Sequence, residues 1–501
     1  MGVVRLHAVA FFTVAIAARG ASSGSGRLAF GSCTAQYAIQ TGERLEQPLW
    51  RHILSRDPEA FVWIGDAIYS DEPVFNISAL FRGKKPVSFR DVTEAGVFAT
   101  KAEQLAALYT VQANEPGYLA LTNTKAIYGI YDDHDYGTNN GDSSFVGKDA
   151  GSKAFLDFIG EPAASPRRKA ASRGGIYDSH SLTLNGVRVL LVLLDVRYAR
   201  TPYGEGLDDG TADILGATQW AWLRAQLDPA ALARDEVDAV VIASGVQVLP
   251  TTRAPAENWK RYPARRRELL ALLRDSRIAH ILVSGDVHFS EISSVDLCSA
   301  ASRGDGLLNG ERRAVVELTT SGMTHSWGRH DTIVGGSFGR IAGYMMARVF
   351  DAHSRFWPSP ERTAAYGGIS WAELEFGRTG GAINGKEVMR TVTVRAFAIN
   401  GKEVMRDTVS LAPLPPCANE VPVAGEEGLP TSFGAGRSAA IVFYVSAPLT
   451  VALWTFFLTL RLFRPGYASS CRTFDLAAPL IVALCAWALS LFFPPQGVVP
   501  M

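Results

Sequence analysis

The chain has 501 residues, of which 47% are hydrophobic, so it can bury a large core and does not belong to the disordered class. Its length allows one large domain or roughly two to three ordinary ones. Lysine and arginine together number 49, as do aspartate and glutamate, and the net charge of +0 gives no electrostatic reason to expect specific nucleic-acid binding.

Residues 1–21 have the features of a secretory signal peptide. Arg5 precedes an apolar stretch, and small residues suited to cleavage follow at Ala17–Ala21. An uncleaved anchor is the alternative, but about a dozen apolar residues are short for a membrane span. The sequence therefore predicts entry into the secretory pathway, and the glycosylation sequon at Asn76 is consistent with that route.

Short apolar runs alternate with amphipathic segments along most of the chain. The runs predict buried strands at 27–33, 60–66, 125–133, 187–196, 238–245 and 278–286. The amphipathic segments predict helices at 101–113, 215–227 and 262–276. Strands that alternate with helices predict an α/β fold in which helices cover the sheets.

Further strands are predicted at 315–322, 370–376 and 391–411. The last segment is predicted to be a hairpin with a type I′ turn at Asn400-Gly401, because that dipeptide suits the positive φ angles of the turn. The segment AINGKEVMR occurs at 382–390 and again at 398–406. A single repeat of this kind indicates a local duplication or a gene-prediction error, and no function is attached to it.

The C-terminal part predicts a membrane anchor. A Pro- and Gly-rich linker at 412–437 leads to two apolar segments, 438–460 and 476–493, and the first is about 33 Å long as a helix, enough for a bilayer. The loop between them, 461–475, carries three arginines, so the positive-inside rule places it in the cytoplasm. The main domain is then extracellular or lumenal, in a secretory-pathway or cell-surface membrane. For the second segment, a tail removed during lipid anchoring is the alternative.

Three cysteines precede the predicted anchor, at Cys33, Cys298 and Cys417. Because the number is odd, one of them is free, paired between chains or bound to another group. The sequence does not decide whether Cys298 and Cys417 form a disulfide.

Metal-binding residue types follow four of the predicted strands, at the point where each strand ends. The motifs FGSC, WIGDAIYSD, YGIYDDHD and LVSGDVHFSE supply, in order, Cys33, Asp66, Tyr69, Asp132, Asp133, His134, Asp135, Asp286 and His288. Sites in α/β sheets form outside the carboxyl ends of strands, so these side chains are expected to converge. Thiolate, phenolate and imidazole suit iron or zinc, whereas carboxylates suit calcium, magnesium or manganese. The residues therefore predict two unlike metal ions.

Nine spaced motifs between about residues 27 and 410 resemble those of the PhoD-like metallophosphatases, the alkaline phosphatase D family within the calcineurin-like metallophosphoesterases. They are FGSC, GDAIYSD, YDDHDYGTNN, LDVRYAR, LGATQWAWL, SGVQV, YPARRRELL, SGDVHFSE and ELTTSGMTHSW. The resemblance implies a four-layer αββα metallophosphoesterase sandwich with two mixed sheets over residues 27–411. It also implies a dinuclear metal centre and hydrolysis of phosphate esters.

The resemblance also implies a role for each matching residue. Asp66 matches the carboxylate that bridges the two ions. The ligands of an iron(III)-like ion are matched by Cys33, Tyr69 and His288. Asp133 and Asp286 match ligands of the second, harder ion. By resemblance this ion is expected to be calcium, and zinc, manganese and magnesium are the alternatives.

Catalytic roles follow from the same resemblance and from the chemistry of phosphate-ester hydrolysis. A metal-bridging hydroxide is expected to attack phosphorus in line, with His134 as general acid and Asp135 orienting its ring. Arg197 is a candidate for gripping phosphate, and its alternative is a structural ion pair with Asp195. Substrate or metal contacts are expected from Asn139 and Asn140. His325 is a candidate substrate contact, with packing as its alternative.

Two functions are compatible with these observations. The first is a membrane-anchored phosphoesterase acting on phosphate mono- or diesters. The second is a non-catalytic, membrane-tethered binding or adhesion protein that keeps the phosphatase fold. The acid candidate His134 favours the enzyme, because a binding module does not need a proton donor.

Overall fold

The structure, a computed structural model, describes residues 24–35, 47–71, 100–202, 205–206, 210–250, 257–297, 314–324, 326, 362–379 and 389–412. Several predicted features therefore lie outside the described residues: the signal peptide, the sequon at Asn76, Cys298, Cys417, His325, most of the first AINGKEVMR copy, nearly all of the linker and both predicted membrane segments. Within the described ranges, no helix is long and apolar enough to cross a membrane.

Two mixed β-sheets form the centre of the fold. The first has the strand order β13-β12-β11-β1-β2-β3. Its strands are β1 (Arg27–Gly31), β2 (Ala60–Ile64), β3 (Ala126–Ile130), β11 (Ser370–Thr379), β12 (Met389–Ala398) and β13 (Glu403–Ser410). Strands β1, β2 and β3 are parallel, so their carboxyl ends lie at one edge of the sheet.

The second sheet has the order β10-β8-β9-β7-β6-β5-β4. Its strands are β4 (Asp178–Leu184), β5 (Val187–Leu194), β6 (Ala239–Ser244), β7 (Ala279–Ser284), β8 (Ser290–Asp296), β9 (Ala314–Thr319) and β10 (Arg362–Tyr366). Strands β5, β6, β7 and β9 are parallel and form its centre.

Helices connect and cover these strands. They are α1 (Leu49–Ser55), α2 (Lys101–Ala113), α3 (Pro116–Thr122), α4 (Asp133–Tyr136), α5 (Lys148–Phe158), α6 (Ala170–Arg173), α7 (Gly216–Gln226), α8 (Pro229–Arg234) and α9 (Pro263–Asp275), with 3-10 turns at Pro166–Lys169 and Trp259–Arg261. Helices α1 and α3 pack on the first sheet through Trp50 and Tyr118, whose rings both contact Trp63 of β2.

Side chains of the second sheet alternate between two apolar layers, because successive residues of a strand point to opposite faces. Val189 and Leu191 of β5 belong to the same buried cluster as the strands of the first sheet. Their neighbours Leu190 and Val192 belong to a second cluster, which contains Trp220 of α7 and residues of α9. The second sheet thus shares one core with the first sheet and another with its own helices.

The predicted α/β fold with two mixed sheets is confirmed, and most predicted strands and helices end within about three residues of the observed ones. The predicted type I′ turn is wrong. Gly401 has a φ of 78°, but Asn400 does not adopt the positive φ that a type I′ turn requires. Hydrogen bonds from the Gly401 amide to the Ala398 carbonyl and from the Ala398 amide to the Lys402 carbonyl instead form a three-residue loop with a bulge.

Candidate metal centre

The predicted ligands follow β1, β2, β3 and β7, and the two sheets meet where these strands end. The amide of Thr34, after β1, donates to the carbonyl of Asp66, after β2, at 2.8 Å. Gly285, after β7, lies so close to Ser32 that an added Cβ would be 2.7 Å from its hydroxyl oxygen. Only glycine allows this approach of the second sheet to the first.

Four predicted ligands have left-handed backbone conformations. Cys33, Asp66, Asp286 and His288 have φ angles of 59°, 52°, 71° and 57°. Residues with side chains rarely adopt such angles, and they concentrate at functional sites, where the surrounding structure compensates for the strain. All four residues lie in the segments that follow β1, β2 and β7.

The thiol and phenol candidates lie beside one carboxylate. The Cys33 thiol and the Tyr69 hydroxyl each lie 3.4 Å from Oδ2 of Asp66. The Ser321 hydroxyl lies 2.9 Å from the sulfur of Cys33 and accepts the backbone amide of His288 at 2.7 Å. The structure therefore brings Cys33 and Tyr69 to Asp66, and the ring of His288 is stacked on that of Tyr69 with centroids 6.3 Å apart.

Two acidic groups adjoin this cluster. Asp66, Asp133 and His134 form one, and Asp132, Asp133 and Asp286 form the other, with ligand atoms within 4.8 Å of one another in each group. Asp133 is common to both groups. The predicted ligands of the harder ion, Asp133 and Asp286, are thus adjacent, and Asp132 is a neighbour that the sequence-based ligand set did not include.

Burial and neighbouring charges shift the pKa values of these carboxylates. It raises the pKa of Asp66 well above its usual range, and the proximity of Cys33 and Asp133 raises it further. Burial likewise raises the pKa of Asp286, as do Asp132 and Asp133. Burial also acts to raise the pKa of Asp133, but the positive charges of His134 and Arg197 outweigh it, and that pKa lies below its usual value.

Arg197 contacts this cluster and is fully buried. Its Nε donates to Oδ1 of Asp132 at 2.5 Å, and its Nη1 pairs with Glu257. The alternative of an ion pair with Asp195 is wrong: the Asp195 carboxylate accepts the Tyr131 hydroxyl at 2.5 Å and backbone amides. The sequence did not predict Glu257 as a partner of Arg197, because Glu257 is an isolated acid in a polar segment.

The donor set fits metal binding. Buried carboxylates whose pKa values are raised by one another repel when ionised, and a cation between them removes that repulsion. Among the described residues, Oδ2 of Asp132 is buried beside Asp133 and Asp286 without a hydrogen-bond partner. Buried polar atoms nearly always have a hydrogen-bond partner. This oxygen is therefore suited to binding a group that is not part of the protein chain, such as a metal ion.

His134 lies at the margin of the site and is 9% exposed. Its Nδ1 is 2.6 Å from Oδ1 of Asp71, and its ring lies on that of Tyr69 with centroids 4.2 Å apart. Sequence reasoning assigned the orienting role to Asp135 and did not include Asp71. The Asp135 carboxylate instead accepts the backbone amides of Asp132 at 2.6 Å and Ala67 at 3.0 Å, so it holds the loop that carries His134.

Asn139 and Asn140 contribute backbone amides to the site, and their side chains are exposed. The Asn139 amide donates to Oδ2 of Asp71, and the Asn140 amide donates to Oδ2 of Asp133 at 2.7 Å. This loop therefore fixes two site carboxylates through its main chain.

Together these features define an α/β protein in which residues suited to holding a metal ion cluster at the carboxyl ends of parallel strands. A family model described as PhoD-like phosphatase matches residues 28–337, more than half of the chain. The chain belongs to the PhoD-like phosphatase family, whose members are metal-dependent phosphoesterases, and the resemblance seen in the motifs is confirmed.

A solved structure described as "Structure of PhoD" is 14% identical, covers 76% of this chain and 71% of its own chain, and gives a TM-score of 0.47. A search of curated proteins found no significant match.

Metal removal is expected to make stability depend more strongly on pH. Burial raises the pKa of Asp132 to about 6 and holds the pKa values of Asp66 and Asp286 well above their usual range. Between the usual carboxyl pKa of about 4 and pH 8, the metal-free folded protein holds protons that the unfolded chain releases, so its free energy of unfolding falls as pH rises. We expect the unfolding midpoint of chelated protein to be roughly 5 °C lower at pH 8 than at pH 5.

Thermal unfolding with chelator and with restored metal measures this effect. Bound metal displaces those protons, so the difference between the two pH values should shrink when metal is restored. Asp135 and Glu317, whose burial raises their pKa values to about 8 and about 7, lie outside the acidic groups and should contribute equally in both states. An unchanged pH dependence after metal removal would contradict a metal at these carboxylates.

Proposed function

We propose that the chain is a metal-dependent phosphoric ester hydrolase that acts on phosphate mono- or diesters, built on a four-layer αββα sandwich. Family membership supports hydrolysis of phosphate esters. The observation that carries the proposal is the junction of two acidic groups at Asp133, with the imidazole of His134 in one of them. A binding protein would not need a proton donor beside a cation site.

In this proposal each metal ion has its own residues. Cys33, Tyr69 and His288 would hold an iron(III)-like ion, Asp133 and Asp286 would hold a harder ion such as calcium, and Asp66 would be a ligand shared by the two sets. When bound, such a pair supplies Lewis-acid activation of water and neutralises charge on phosphate oxygens. Zinc, manganese or magnesium are alternative occupants for these donors.

The remaining residues transfer protons or hold other groups of the site in place. His134 donates a proton to the leaving oxygen of the ester. Asp135 and the amides of Asn139 and Asn140 hold the surrounding loop and carboxylates in place. The burial and pairing of Arg197 favour a role as the counterion of Asp132 and Glu257 over the role of a phosphate grip.

We also propose that the enzyme is anchored through 438–460 and 476–493, with its catalytic domain on the extracellular or lumenal side. Support for the anchor comes from the apolar segments, the arginines of the loop 461–475 and the signal peptide at 1–21.

Hydrolysis of chromogenic p-nitrophenyl mono- and diesters by the metal-loaded protein tests the activity. We expect turnover of both esters between pH 6 and about 10, and, on a phosphate ester with an alkyl leaving group, a loss of about 10²- to 10⁴-fold in His134→Ala without loss of metal. Asp57→Asn is the matched control, because Asp57 is exposed and its φ of 51° suits asparagine. A wild type that binds metal but hydrolyses neither ester would support the binding or adhesion alternative.

A further inference from the structure

We propose that Ser321 is the positioning residue of Cys33, and that its hydroxyl donates a hydrogen bond to the sulfur when a metal ion is bound. The inference rests on the proposed role of Cys33 as a metal ligand and adds a residue outside the proposed ligand set. It starts from the 2.9 Å contact between Oγ of Ser321 and Sγ of Cys33. Both residues are fully buried, so bulk water does not compete for this contact.

A second contact of the Ser321 hydroxyl determines the direction of the first. A backbone N–H only donates, so the 2.7 Å contact between the His288 amide and Oγ of Ser321 uses a lone pair of that oxygen. The hydroxyl hydrogen is then left for another partner. A metal-bound thiolate carries no hydrogen and only accepts, so Ser321 is the donor to Cys33 in the metal-loaded site.

Ser32 lies beside the same sulfur and provides an internal comparison. Its Oγ is 3.5 Å from Sγ of Cys33 but 2.9 Å from the carbonyl oxygen of Thr320. A carbonyl oxygen only accepts, and a serine hydroxyl has one hydrogen, so that hydrogen is directed to Thr320. Of these two serines, Ser321 is therefore the one whose hydrogen is directed to the sulfur.

The main chain around Ser321 is held by both sheets. The amide of Thr320 donates to the carbonyl of Ser284, at the end of β7, at 2.8 Å. The amide of Met323 donates to the carbonyl of Ser32, just after β1, at 3.1 Å. The Ser321 hydroxyl is therefore fixed in place, and its one oxygen contacts both the thiol candidate and the segment that carries the imidazole candidate.

A hydrogen bond to the sulfur changes how this ligand holds a metal ion. It draws electron density from the thiolate and offsets the cost of a buried negative charge. Groups that orient a metal ligand in this way typically contribute about 10- to 100-fold to metal affinity. Without the hydroxyl, the sulfur is more electron-rich and less firmly oriented. Charge transfer from sulfur to metal then needs less energy, and the ion is held more weakly.

Cobalt(II) added to chelated, metal-free protein tests the inference, because a sulfur–cobalt bond gives a charge-transfer absorption band in the near ultraviolet. We expect this band in wild type and not in Cys33→Ala. In Ser321→Ala the band should move to longer wavelength. The Co²⁺ dissociation constant of that variant, measured against a chromophoric chelator, should rise about 10- to 100-fold.

A pair of variants with the same side-chain shape repeats the comparison. Ser321→Thr keeps the hydroxyl and should absorb near the wild-type wavelength, whereas Ser321→Val should absorb at the longer one. The wavelength is a property of the folded, loaded molecules, so a smaller folded fraction lowers the band without moving it.

Ser32→Ala is the matched control, because it removes a buried hydroxyl beside the same sulfur whose hydrogen is directed to Thr320. Its band should stay at the wild-type wavelength, and its Co²⁺ dissociation constant should stay within about 3-fold of wild type. An unmoved band in Ser321→Ala and Ser321→Val, or an equal shift in Ser32→Ala, would overturn the inference.

The inference and the proposed function fail in different ways. A wild type that binds Co²⁺ without the sulfur band, or binds no Co²⁺, removes the role of Ser321, while ester hydrolysis tests the phosphoesterase separately. A wild type with the band, and with its shift in Ser321→Ala, that hydrolyses neither ester keeps the role of Ser321 and removes the proposed activity.

Discussion

Replacing Asp66 with asparagine is expected to abolish hydrolysis and, at the same time, to stabilise the metal-free protein. The Asp66 carboxylate is buried between the Cys33 thiol and Asp133, and both neighbours raise its pKa further above the level set by burial. An amide keeps the shape and removes the charge. The Asp66 carboxylate destabilises the fold when no cation is bound, but it is required for metal binding and hydrolysis. The substitution should therefore lower the activity and raise the stability of the metal-free protein.

The expected loss of kcat/KM is about 10³-fold or more, since the charge stabilisation supplied by a metal ion is worth several kcal/mol. Metal content should fall, and the unfolding midpoint of chelated protein at pH 8 should rise by roughly 2–4 °C. Asp57→Asn, in which the replaced side chain is 76% exposed, should change none of the three quantities. A chelated Asp66→Asn protein less stable than wild type would show that Asp66 is a structural acid and not a ligand.

The strands and their ends were predictable because each is a short apolar run followed by polar residues. Buried runs such as 60–66 have one plausible structure in an α/β chain, and parallel strands place their carboxyl ends together. For this reason Cys33, Asp66, Asp286 and His288, which are remote in sequence, could be expected at one site. Their left-handed φ angles could not be expected, because they follow from the contacts between the two sheets.

The surroundings of His134 were less predictable, for a physical reason. Asp135 is its neighbour in sequence, but consecutive residues of a helical turn point about 100° apart, so Asp135 faces the backbone amides of the preceding loop. Asp71 is far from His134 in sequence and follows an irregular segment without periodicity. Its contact with the ring depends on how the loops after β2 and β3 pack, which local patterns do not encode. Glu257, the partner of Arg197, was missed for the same reason.

Replacing Arg197 with methionine is expected to destabilise the protein strongly. The guanidinium is fully buried, lies 2.5 Å from Asp132 and pairs with Glu257, and the negative charges around it hold its pKa well above the usual value despite burial. Methionine fills similar volume but leaves the buried Asp132 carboxylate without its counterion and Glu257 with Arg200 in place of two arginines. Removing one partner of a buried ion pair costs about 3–5 kcal/mol, which should lower the unfolding midpoint by roughly 10 °C.

Arg197→Lys and an exposed control separate structural support from substrate binding. Lysine keeps the charge, but its single ammonium cannot reproduce the two-sided contact with Asp132 and Glu257, so an intermediate midpoint is expected. Arg234→Met removes an arginine whose side chain is 72% exposed and should leave the midpoint unchanged. If Arg197 instead grips phosphate, Arg197→Met would raise KM while the midpoint stays at the wild-type value. The full burial of its guanidinium argues against that outcome, because an anion could reach it only by displacing the carboxylates that now surround it.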